Sequence, residues 1–402
     1  MRYTDFHDRP AGLLVPTLDG AMAFVPNPLP PALDMAVLAL PLAAAKLAVG
    51  ELRGASRNLP NPYLFIAPLQ KREAMTSSAM EGTHTTAQDL MLAVAGINKS
   101  DPDTAEVSNY IKALRAAVAA LTELPISHRL IRDAHRTLLT NAVSGRGANK
   151  RPGEYKIEQN WIGGATVAAA RFVPPPPAQS QIAMDALEAW INRATDSRSD
   201  PLIDMALAHY QFEAIHPFAD GNGRLGRLIV TLMAMTTGLL RDPILYLSPV
   251  IEQRKDEYID RMYAVSANGA WEDWICFFCD VVAESCRQTI DTIDRVLALK
   301  ADFAARVRAK SNSANDPDVL EMLFREPVLR IADVKDRLDV STQGARNVID
   351  RLIGSGILKE LPGWYPKVFY APDIILIADR QSVSRSIGLT FRPKNRAKSE
   401  TS

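Results

Sequence analysis

The chain of 402 residues lacks several features that define whole classes of protein. Its three cysteines all fall between Cys276 and Cys286, too few and too close together for the disulfide framework of a secreted domain. Neither sign of charge is in excess, because 46 Lys and Arg balance 46 Asp and Glu, so no overall field attracts nucleic acid or an anionic membrane. The first residues lack the basic-then-apolar pattern of a signal peptide, and no uninterrupted apolar run reaches membrane-spanning length.

These absences predict a cytoplasmic protein without a membrane partner. Cys276 and Cys279 flank two phenylalanines in an apolar run, and no second ligand pair follows them. They are therefore predicted to be buried helix cysteines and not metal ligands. The length and a hydrophobic content of 47% predict a globular chain of two or three domains.

What the sequence does contain is a dense polar motif from His216 to Arg227, which reads His-Pro-Phe-Ala-Asp-Gly-Asn-Gly-Arg-Leu-Gly-Arg. Apolar helical patterns flank the motif on both sides, and they predict a helix, a tight loop and a second helix. Gly221, Gly223 and Gly226 let the backbone approach a ligand closely. The second helix would begin with the positive end of its dipole at the loop. The motif therefore predicts a phosphate-binding site.

Four polar side chains of the motif suit phosphate chemistry. Arg224 and Arg227 lie three apart on one helix face and carry forked donors that match phosphate oxygens. Asp220 offers the hard oxygen ligand that a nucleotide-bound magnesium accepts. His216 can take up a proton near neutral pH. The alternative is a glycine-rich turn with solvated arginines, but such a turn needs none of these four groups.

The motif also matches the signature of the Fic family, His-x-Phe-x-Asp/Glu-Gly-Asn-Gly-Arg-x-x-Arg, at every fixed position. The resemblance, which covers roughly residues 60 to 290, implies an all-α fold in which a Fic helical bundle carries a small β-hairpin flap. It implies transfer of AMP from ATP to a Tyr, Thr or Ser hydroxyl of a target protein or of the enzyme itself, with release of pyrophosphate. His216 would be the catalytic base and Asp220 the ligand for Mg²⁺. Asn222 and Arg224 would steady the developing charge, and the adenine would lie near residues 249 to 265, with Gln253 or Tyr258 as its neighbour. The full set of predicted ATP contacts is Gly221, Asn222, Gly223, Arg224, Leu225, Gly226, Arg227, Gln253 and Ser78.

A second informative stretch lies in the helical pattern of residues 69 to 82. Ser77 and Glu81 are one turn apart on one face, and Gly82 supplies the stop. Taken alone, the stretch is typical of an ordinary C-capped surface helix. Beside the Fic signature, residues 77 to 82 resemble the family's inhibitory motif Ser/Thr-x-x-x-Glu-Gly/Asn. That resemblance implies that Glu81 pairs with Arg227 and displaces the γ-phosphate of ATP.

Two other segments carry expectations. Residues 1 to 33 are rich in proline without a clear period, which predicts a surface arm with little function. Residues 155 to 162 and 166 to 172 are strand-like runs around Gly163-Gly164, so they predict a hairpin. The hairpin resembles the family's flap, which holds an extended target segment by strand addition. An exposed turn without a role is the alternative.

A polar linker near residues 311 to 317 marks a domain boundary. The helical patterns that follow, with Ser341 as a helix cap and a strand-like run at 366 to 370, resemble a winged helix-turn-helix. Its residues 316 to 371 carry eight basic and nine acidic side chains, a net charge of 8 − 9 = −1, whereas a DNA reader normally shows a basic footprint. Arg346 and Arg351 are the candidates to face bases. DNA binding and protein contact both stay open for this segment.

The predicted domains are an N-terminal arm and helix at 1–68, an inhibitory helix at 69–82, a Fic core at 83–310, a winged helix at 316–378 and a basic tail at 379–402. Two alternatives to AMP transfer remain. The chain could be a DNA-binding regulator whose Fic core senses a ligand, or the core could remove AMP or transfer another phosphate-containing group. The sequence leaves a homodimer open.

Overall fold

The computed structural model describes residues 1, 3–6, 11–57, 63–97, 101–140, 151–194, 199–310 and 316–377. Within these ranges the fold is mostly helical with small antiparallel strand pairs, as predicted. The strands and helices in chain order are β1 (Gly12–Pro16), β2 (Met22–Pro26), α1 (Met35–Arg57), α2 (Tyr63–Met80), α3 (Ala87–Val94), α4 (Pro102–Ala120), α5 (His128–Leu138), α6 (Pro177–Ile191), α7 (Pro201–Ile215), α8 (Asn222–Thr236), α9 (Ser248–Gln253), α10 (Lys255–Asn268), α11 (Trp271–Arg308), α12 (Asp316–Arg325), β3 (Val328–Arg330), α13 (Ile331–Leu338), α14 (Thr342–Gly354), β4 (Lys359–Leu361), β5 (Val368–Tyr370) and α15 (Pro372–Ile377).

Helices α7 and α8 form the centre of the bundle. Nearly every side chain of α7 is buried, as is α8 from Asn222 to Ala234, which explains why neither segment has a solvent-facing polar stripe. Asp200 starts α7 because its side chain accepts the N–H of Leu202, and Pro201 occupies the first helical turn. Helices α2, α4 and α5 pack against α8, and α6 and α11 pack against α7. The loop between α7 and α8 therefore joins two buried helices, although Ala219 within it is exposed.

Helix α1 corrects one expectation. It is long and apolar enough, by length and composition alone, to cross a membrane. Lys46 breaks the uninterrupted run of apolar residues in this segment, but the helix as a whole remains apolar on average. The buried side of α1 packs along α11 and consists of Leu38, Leu42, Ala45, Ala48, Val49 and Leu52.

The N-terminal arm is a second correction, because it builds structure next to the flap. β1 and β2 pair in antiparallel register from Gly12 opposite Pro26. The Phe24 N–H donates to the Val173 carbonyl oxygen at 2.8 Å, and the Phe24 and Phe172 rings lie 5.6 Å apart. The strands are too short to show a period in the sequence, and their burial depends on partners almost 150 residues away in the chain.

The flap is less regular than predicted. Its two segments return on each other through a single antiparallel bridge between Ile162 and Phe172, with a short 3₁₀ turn at Val167–Ala169 between them. The polar groups of the first segment bind the α7–α8 loop instead of a partner strand. The Lys156 N–H donates to Pro217 O, and Asn160 Nδ2 donates to His216 O and Phe218 O. The flap is therefore tied to the loop that it covers.

The C-terminal module contains the three helices predicted for it, α12, α13 and α14, and the strand predicted at residues 366 to 370, which is β5. It also contains a fourth helix, α15, and β5 is the middle strand of a three-stranded antiparallel sheet in the order β3-β5-β4. Ser341 caps α14, with its hydroxyl accepting the Gly344 N–H at 3.1 Å. The module packs against both helices that flank Gly82. Helices α12 and α15 lie against α2, and Met91 and Leu92 of α3 pack on the sheet. Helix α2 is thus held between the bundle and the module. The predicted basic tail lies outside the described residues.

Candidate active site

The loop between α7 and α8 has its shape fixed by its own residues. His216 ends α7 in the left-handed region at φ 47°, and Gly221 caps α8 at φ 78°, a conformation that glycine adopts without strain. The Asn222 amide clamps the loop, because Oδ1 accepts the Phe218 N–H at 2.9 Å and Nδ2 donates to Phe218 O at 2.8 Å. Asn222 therefore shapes the loop, and its predicted contact with phosphate stays a prediction.

His216 is set up to accept a proton. Its Nδ1–H donates to the Glu213 carbonyl oxygen at 3.3 Å, so Nε2 is the nitrogen left with a lone pair. The pKa of His216 is lowered to about 4, chiefly by burial and in part by the nearby Lys156 cation, while Glu81 opposes the shift. The side chain lines the cavity beside the loop. At neutral pH it is therefore an unprotonated base in contact with that cavity.

Arg227 contacts the end of α2 and the turn that follows it. Nε donates to Ser77 Oγ at 2.9 Å, and Nη2 donates to Ser77 O at 2.8 Å and to Glu81 Oε1 at 2.9 Å. Burial alone would raise the pKa of Glu81, but the Arg227 charge and hydrogen bond outweigh it and the pKa is lowered. The predicted contact between Glu81 and Arg227 is therefore present.

Gly223 shows where the Glu81 carboxylate sits. A β-carbon at Gly223 would collide with Glu81 Oε1, so the carboxylate lies directly on the first turn of α8. The N-terminal turn of a helix is where anions bind, because its N–H groups and the helix dipole both favour negative charge. The carboxylate thus occupies the position that the motif offers to a phosphate.

Arg224 has a different partner from Arg227. Only 1% of its side chain is exposed, and its guanidinium pairs with the buried carboxylate of Glu106 on α4. Thr83 Oγ1 donates to the same Glu106 oxygen at 3.2 Å, and Asp220 Oδ1 lies 3.8 Å from Arg224 Nη2. Arg224 therefore joins α4 and the turn after Glu81 to α8. Sequence reasoning missed Glu106, because an acid in a helix is normally a solvent-facing residue.

Asp220 fits a metal that arrives with a nucleotide. Its Oδ1 accepts the Gly221 N–H at 2.7 Å, and 26% of its side chain is exposed. Among the residues with described positions, no group of three or more His, Cys, Asp or Glu could hold a metal ion. Magnesium usually keeps several waters and binds through one or two carboxylates plus substrate phosphates. A single carboxylate next to an anion loop suits that mode of binding.

A cavity of about 190 Å³ opens beside His216. One end is polar, formed by Glu81, Gly223 and Arg227. The rest of the lining is largely apolar and aromatic, and it includes Ile162 and Phe172 of the flap together with Tyr258, Ile259, Met262 and Tyr263 of α10; the cationic side chains of Arg171 and Lys255 also line the cavity. Such a cavity accommodates a flat, mostly apolar group at one end and an anion at the other.

Four predicted phosphate contacts lie elsewhere. Gln253 is exposed at the end of α9 and does not line the cavity, whereas Tyr258 does. Ser78 is fully buried away from the cavity. The Leu225 N–H bonds to Gly221 O within α8, and its side chain is in the core. Gly226 packs against α7, where a β-carbon would collide with the Glu213 carboxyl.

Two ionisable groups near the site were not found from the sequence. Lys156 is 7% exposed, and burial lowers its pKa to about 7; its Nζ donates to Asn160 Oδ1 at 2.8 Å and to Ile215 O at 3.3 Å, at the C-terminal end of α7. Burial raises the pKa of Glu213 to about 8, with Arg227 opposing and Glu81 adding to the shift. Neither residue stands in a recognisable motif, so no local pattern signalled either role.

Helix α2 is anchored on both sides of Ser77. The buried Glu73 carboxylate accepts hydrogen bonds from Tyr110 Oη at 3.1 Å and from Ser248 Oγ and N at 2.5 and 3.1 Å. Lys255 Nζ donates to Met80 O at 2.7 Å, at the C-terminal end of the helix. These contacts hold Glu81 against α8.

Comparison with family models defines the class of the protein. Residues 40–119 match the model of the Fic/DOC family N-terminal region, and residues 125–234 match that of the Fic/DOC family. The second match contains the whole His216–Arg227 motif. Over residues 40–119 and 125–234 the chain is therefore similar to the Fic/DOC family, as its motif predicted.

Two curated relatives show how similar the chain is to individual proteins and over what length. The chain is 28% identical over 278 residues to protein adenylyltransferase Fic of Drosophila virilis, which covers 67% of this chain and 51% of the relative. It is 33% identical over 169 residues to the same protein of Drosophila willistoni, covering 40% and 31% respectively. The chain thus spans about half the length, or less, of these curated relatives.

Two solved structures share the fold. A Fic family protein from Desulfovibrio desulfuricans G20 has a TM-score of 0.55 at 19% identity and covers 85% of this chain and 98% of its own. A Fic domain containing signaling protein from Bacteroides thetaiotaomicron VPI-5482 has a TM-score of 0.50 at 21% identity and covers 61% and 97%. At these identities the similarity is one of fold.

Proposed function

We propose that this chain is a protein adenylyltransferase, which moves AMP from ATP to a hydroxyl side chain of a target protein and of itself and releases pyrophosphate. The observation that carries the proposal is the arrangement at the α7–α8 junction. An unprotonated His216 faces a cavity whose polar end is the anion-binding first turn of α8. The relatives named protein adenylyltransferase support the same reaction.

The reaction would proceed by in-line displacement. His216 Nε2 removes the proton from a Tyr, Thr or Ser hydroxyl of the target. The hydroxyl oxygen then forms a bond to the α-phosphorus while the bond to the β-phosphate bridging oxygen breaks, and pyrophosphate leaves. The N–H groups of the first turn of α8 bind the phosphates, and Arg227 reaches the same end of the cavity. Magnesium bound to the nucleotide and held by Asp220 would neutralise part of the phosphate charge.

The rest of the cavity would hold the nucleoside. Its aromatic and apolar lining from α10 and the flap suits a nucleobase, which has a flat apolar face. The flap covers His216 and is tied to the catalytic loop through Asn160. A target segment lying along the flap would therefore place its hydroxyl close to the base.

In the resting state Glu81 would restrain the enzyme. Its carboxylate pairs with Arg227 and lies on the first turn of α8, so a γ-phosphate cannot use either group while Glu81 is in place. ATP that enters the cavity would then bind in a poor register, and a misplacement of about 1 Å can lower the rate by roughly 10²-fold. Displacement of Glu81 would activate transfer.

For the C-terminal module, contact with protein is the favoured role over DNA binding. Arg351, one of the two candidate base-reading side chains, is paired with the buried Asp316 at 2.7 Å. Arg346 remains exposed, but a single arginine on a segment of net charge −1 does not make the basic footprint of a DNA reader. Salt-dependent retardation of a DNA duplex by the full chain, lost in Arg346→Ala, would reverse this preference.

The test of the enzymatic proposal uses two labels. Purified parent, Glu81→Gly and Glu81→Gly/His216→Ala chains are incubated with magnesium and with ATP labelled on either the α- or the γ-phosphate. We expect α-label on the protein, strongest in Glu81→Gly and absent from the double variant, and mass spectrometry should show added AMP. Retention of γ-label would indicate transfer of phosphate, and loss of AMP from pre-modified protein would favour the removal reaction. Absence of any label from Glu81→Gly would overturn the proposal.

A further inference from the structure

We infer that His135 is a positioning residue for the phosphate loop, because its Nε2–H holds the carbonyl oxygen of Asp220 and thereby orients the peptide at which the loop enters α8. The inference deepens the proposed function and rests on it only for the assignment of the α7–α8 loop as a phosphate-binding loop. No part of the signature contains His135, which lies on α5, far from the motif in the chain.

The direction of both hydrogen bonds of the ring follows from their partners. His135 Nδ1 lies 2.8 Å from the Gly153 N–H, and Nε2 lies 3.0 Å from Asp220 O. A backbone N–H can only donate, so Nδ1 carries the lone pair. Nε2 therefore carries the hydrogen, and it donates to the Asp220 carbonyl oxygen.

The ring is held rigidly against the motif. It stacks on Phe218, with the ring centroids 3.8 Å apart and the planes 16° from parallel, and Phe218 is itself fully buried. On the other side, Arg132 Nε donates to Gly153 O at 2.7 Å and so fixes the peptide segment that caps Nδ1. His135 thus links the root of the flap segment to the phosphate loop.

The planar peptide carries this constraint to the Asp220 side chain. Asp220 O and the Gly221 N–H belong to one peptide unit, in which the carbonyl and the N–H point in opposite directions. His135 binds the carbonyl, and the N–H on the opposite side donates to Asp220 Oδ1 at 2.7 Å. Fixing one end of the unit therefore fixes the direction of the N–H that holds the carboxylate. Without His135 the peptide unit could rotate, and then neither the carbonyl group nor the carboxylate of Asp220 would be held in place.

His135→Gln and His135→Asn each keep the hydrogen-bonding role of one ring nitrogen and remove that of the other. In His135→Gln the amide nitrogen falls near the position of Nε2, so the donor to Asp220 O is kept and the acceptor for Gly153 is lost. In His135→Asn the amide oxygen falls near the position of Nδ1, so the acceptor is kept and the donor is lost. Both variants remove the aromatic stack, and each therefore controls for the loss of packing in the other.

The measurements are ATP affinity by calorimetry with and without magnesium, kcat and KM for ATP in the Glu81→Gly background, and melting temperature. We expect His135→Asn to lower kcat/KM by roughly tenfold or more, since a small displacement of a positioned group has large effects. His135→Gln should stay within about threefold of its parent at a similar melting temperature. Equal losses in the two variants, in step with their melting temperatures, would show a packing role and overturn the inference.

A spectroscopic readout does not depend on catalysis. Long-range ¹⁵N–¹H spectra of histidine-labelled full chain, with the His135 signal assigned by its absence from His135→Gln, should show the Nε2–H tautomer. The Nδ1–H tautomer would contradict the assigned hydrogen bonds. If Glu81→Gly transfers no AMP but His135→Asn still weakens ATP binding and His135→Gln does not, the inference holds while the proposed reaction fails.

Discussion

Two arginines of α8 sit three residues apart, and each is paired with a carboxylate, yet the pairs differ in exposure. Arg224 and Glu106 are 1% and 8% exposed. Arg227 is 2% exposed, but 36% of the Glu81 side chain is exposed at the cavity wall. Removing one partner of a buried pair strands a charge without solvent, whereas Glu81 can move into water. The arginine–carboxylate pair at Arg224 is therefore a fixed part of the fold, whereas the pair at Arg227 is a contact that can be released.

The largest effect should come from breaking the fixed pair. Glu106→Ala leaves the Arg224 guanidinium buried without its carboxylate, which should lower the free energy of unfolding by about 3–5 kcal/mol. Chemical denaturation followed by circular dichroism measures this. Glu123→Ala, an exposed acid just beyond α4, is the matched control and should change stability by less than about 0.5 kcal/mol. A loss in Glu106→Ala no larger than in the control would remove the distinction between the pairs.

The next-largest effect should come from removing the proposed general base, His216. His216→Ala in the Glu81→Gly background should lower AMP transfer by roughly 10²-fold or more, the usual contribution of a general base, while ATP affinity changes little. Transfer rates and calorimetric titrations at equal magnesium give both quantities. Transfer that persists in this variant would remove His216 from the role of base.

Opening the releasable pair should raise activity. Glu81→Gly removes the carboxylate from the first turn of α8 and should increase AMP transfer by up to roughly 10²-fold. Arg227→Ala added to Glu81→Gly should lower transfer again. Ser78→Ala, near the end of α2 but away from the cavity, should not activate. If Glu81→Gly is no faster than the parent, α2 has only a structural role.

A smaller activation is expected from Ser77→Ala. The Ser77 hydroxyl accepts the Arg227 Nε–H at 2.9 Å, so its loss should weaken the docking of α2 by about 1 kcal/mol and raise transfer severalfold. The rates of Ser77→Ala, Glu81→Gly and the double variant would be compared side by side. Additive activation in the double variant would contradict a shared action through Arg227.

The smallest effect concerns pH. The pKa of His216 is lowered to about 4, so the imidazole is unprotonated throughout the neutral range. Transfer by Glu81→Gly should be nearly constant with respect to this base between about pH 6 and pH 8, and it should fall only as the pH drops toward 4. A pH–rate profile of kcat/KM tests this. A midpoint near the ordinary histidine pKa would show that the cavity does not perturb His216 in the active state.

The parts of the site that the sequence predicted are those encoded locally. The spacing of Gly221 and Gly223 specifies a tight loop before a helix, and Ser77 and Glu81 fall one turn apart on one face. Gln253 and Ser78 do not line the cavity, and their predicted contact with ATP stays a prediction. The roles of Glu106 and of Phe24 in the N-terminal arm depend on partners more than a hundred residues away, and no local pattern records such a pairing.

The Glu81 carboxylate on the first turn of α8 has a consequence for how any anion can bind there. The chain carries a ligand for its own site, and a tethered ligand acts at an effective concentration on the order of millimolar or more, set by the geometry of its attachment. Under the proposed function, a nucleotide would compete with an internal anion whose effective concentration is the same in every molecule and does not fall on dilution. Because α2 packs against α12 and α15 as well as α8, the effective concentration of the Glu81 carboxylate depends on how firmly the C-terminal module holds α2.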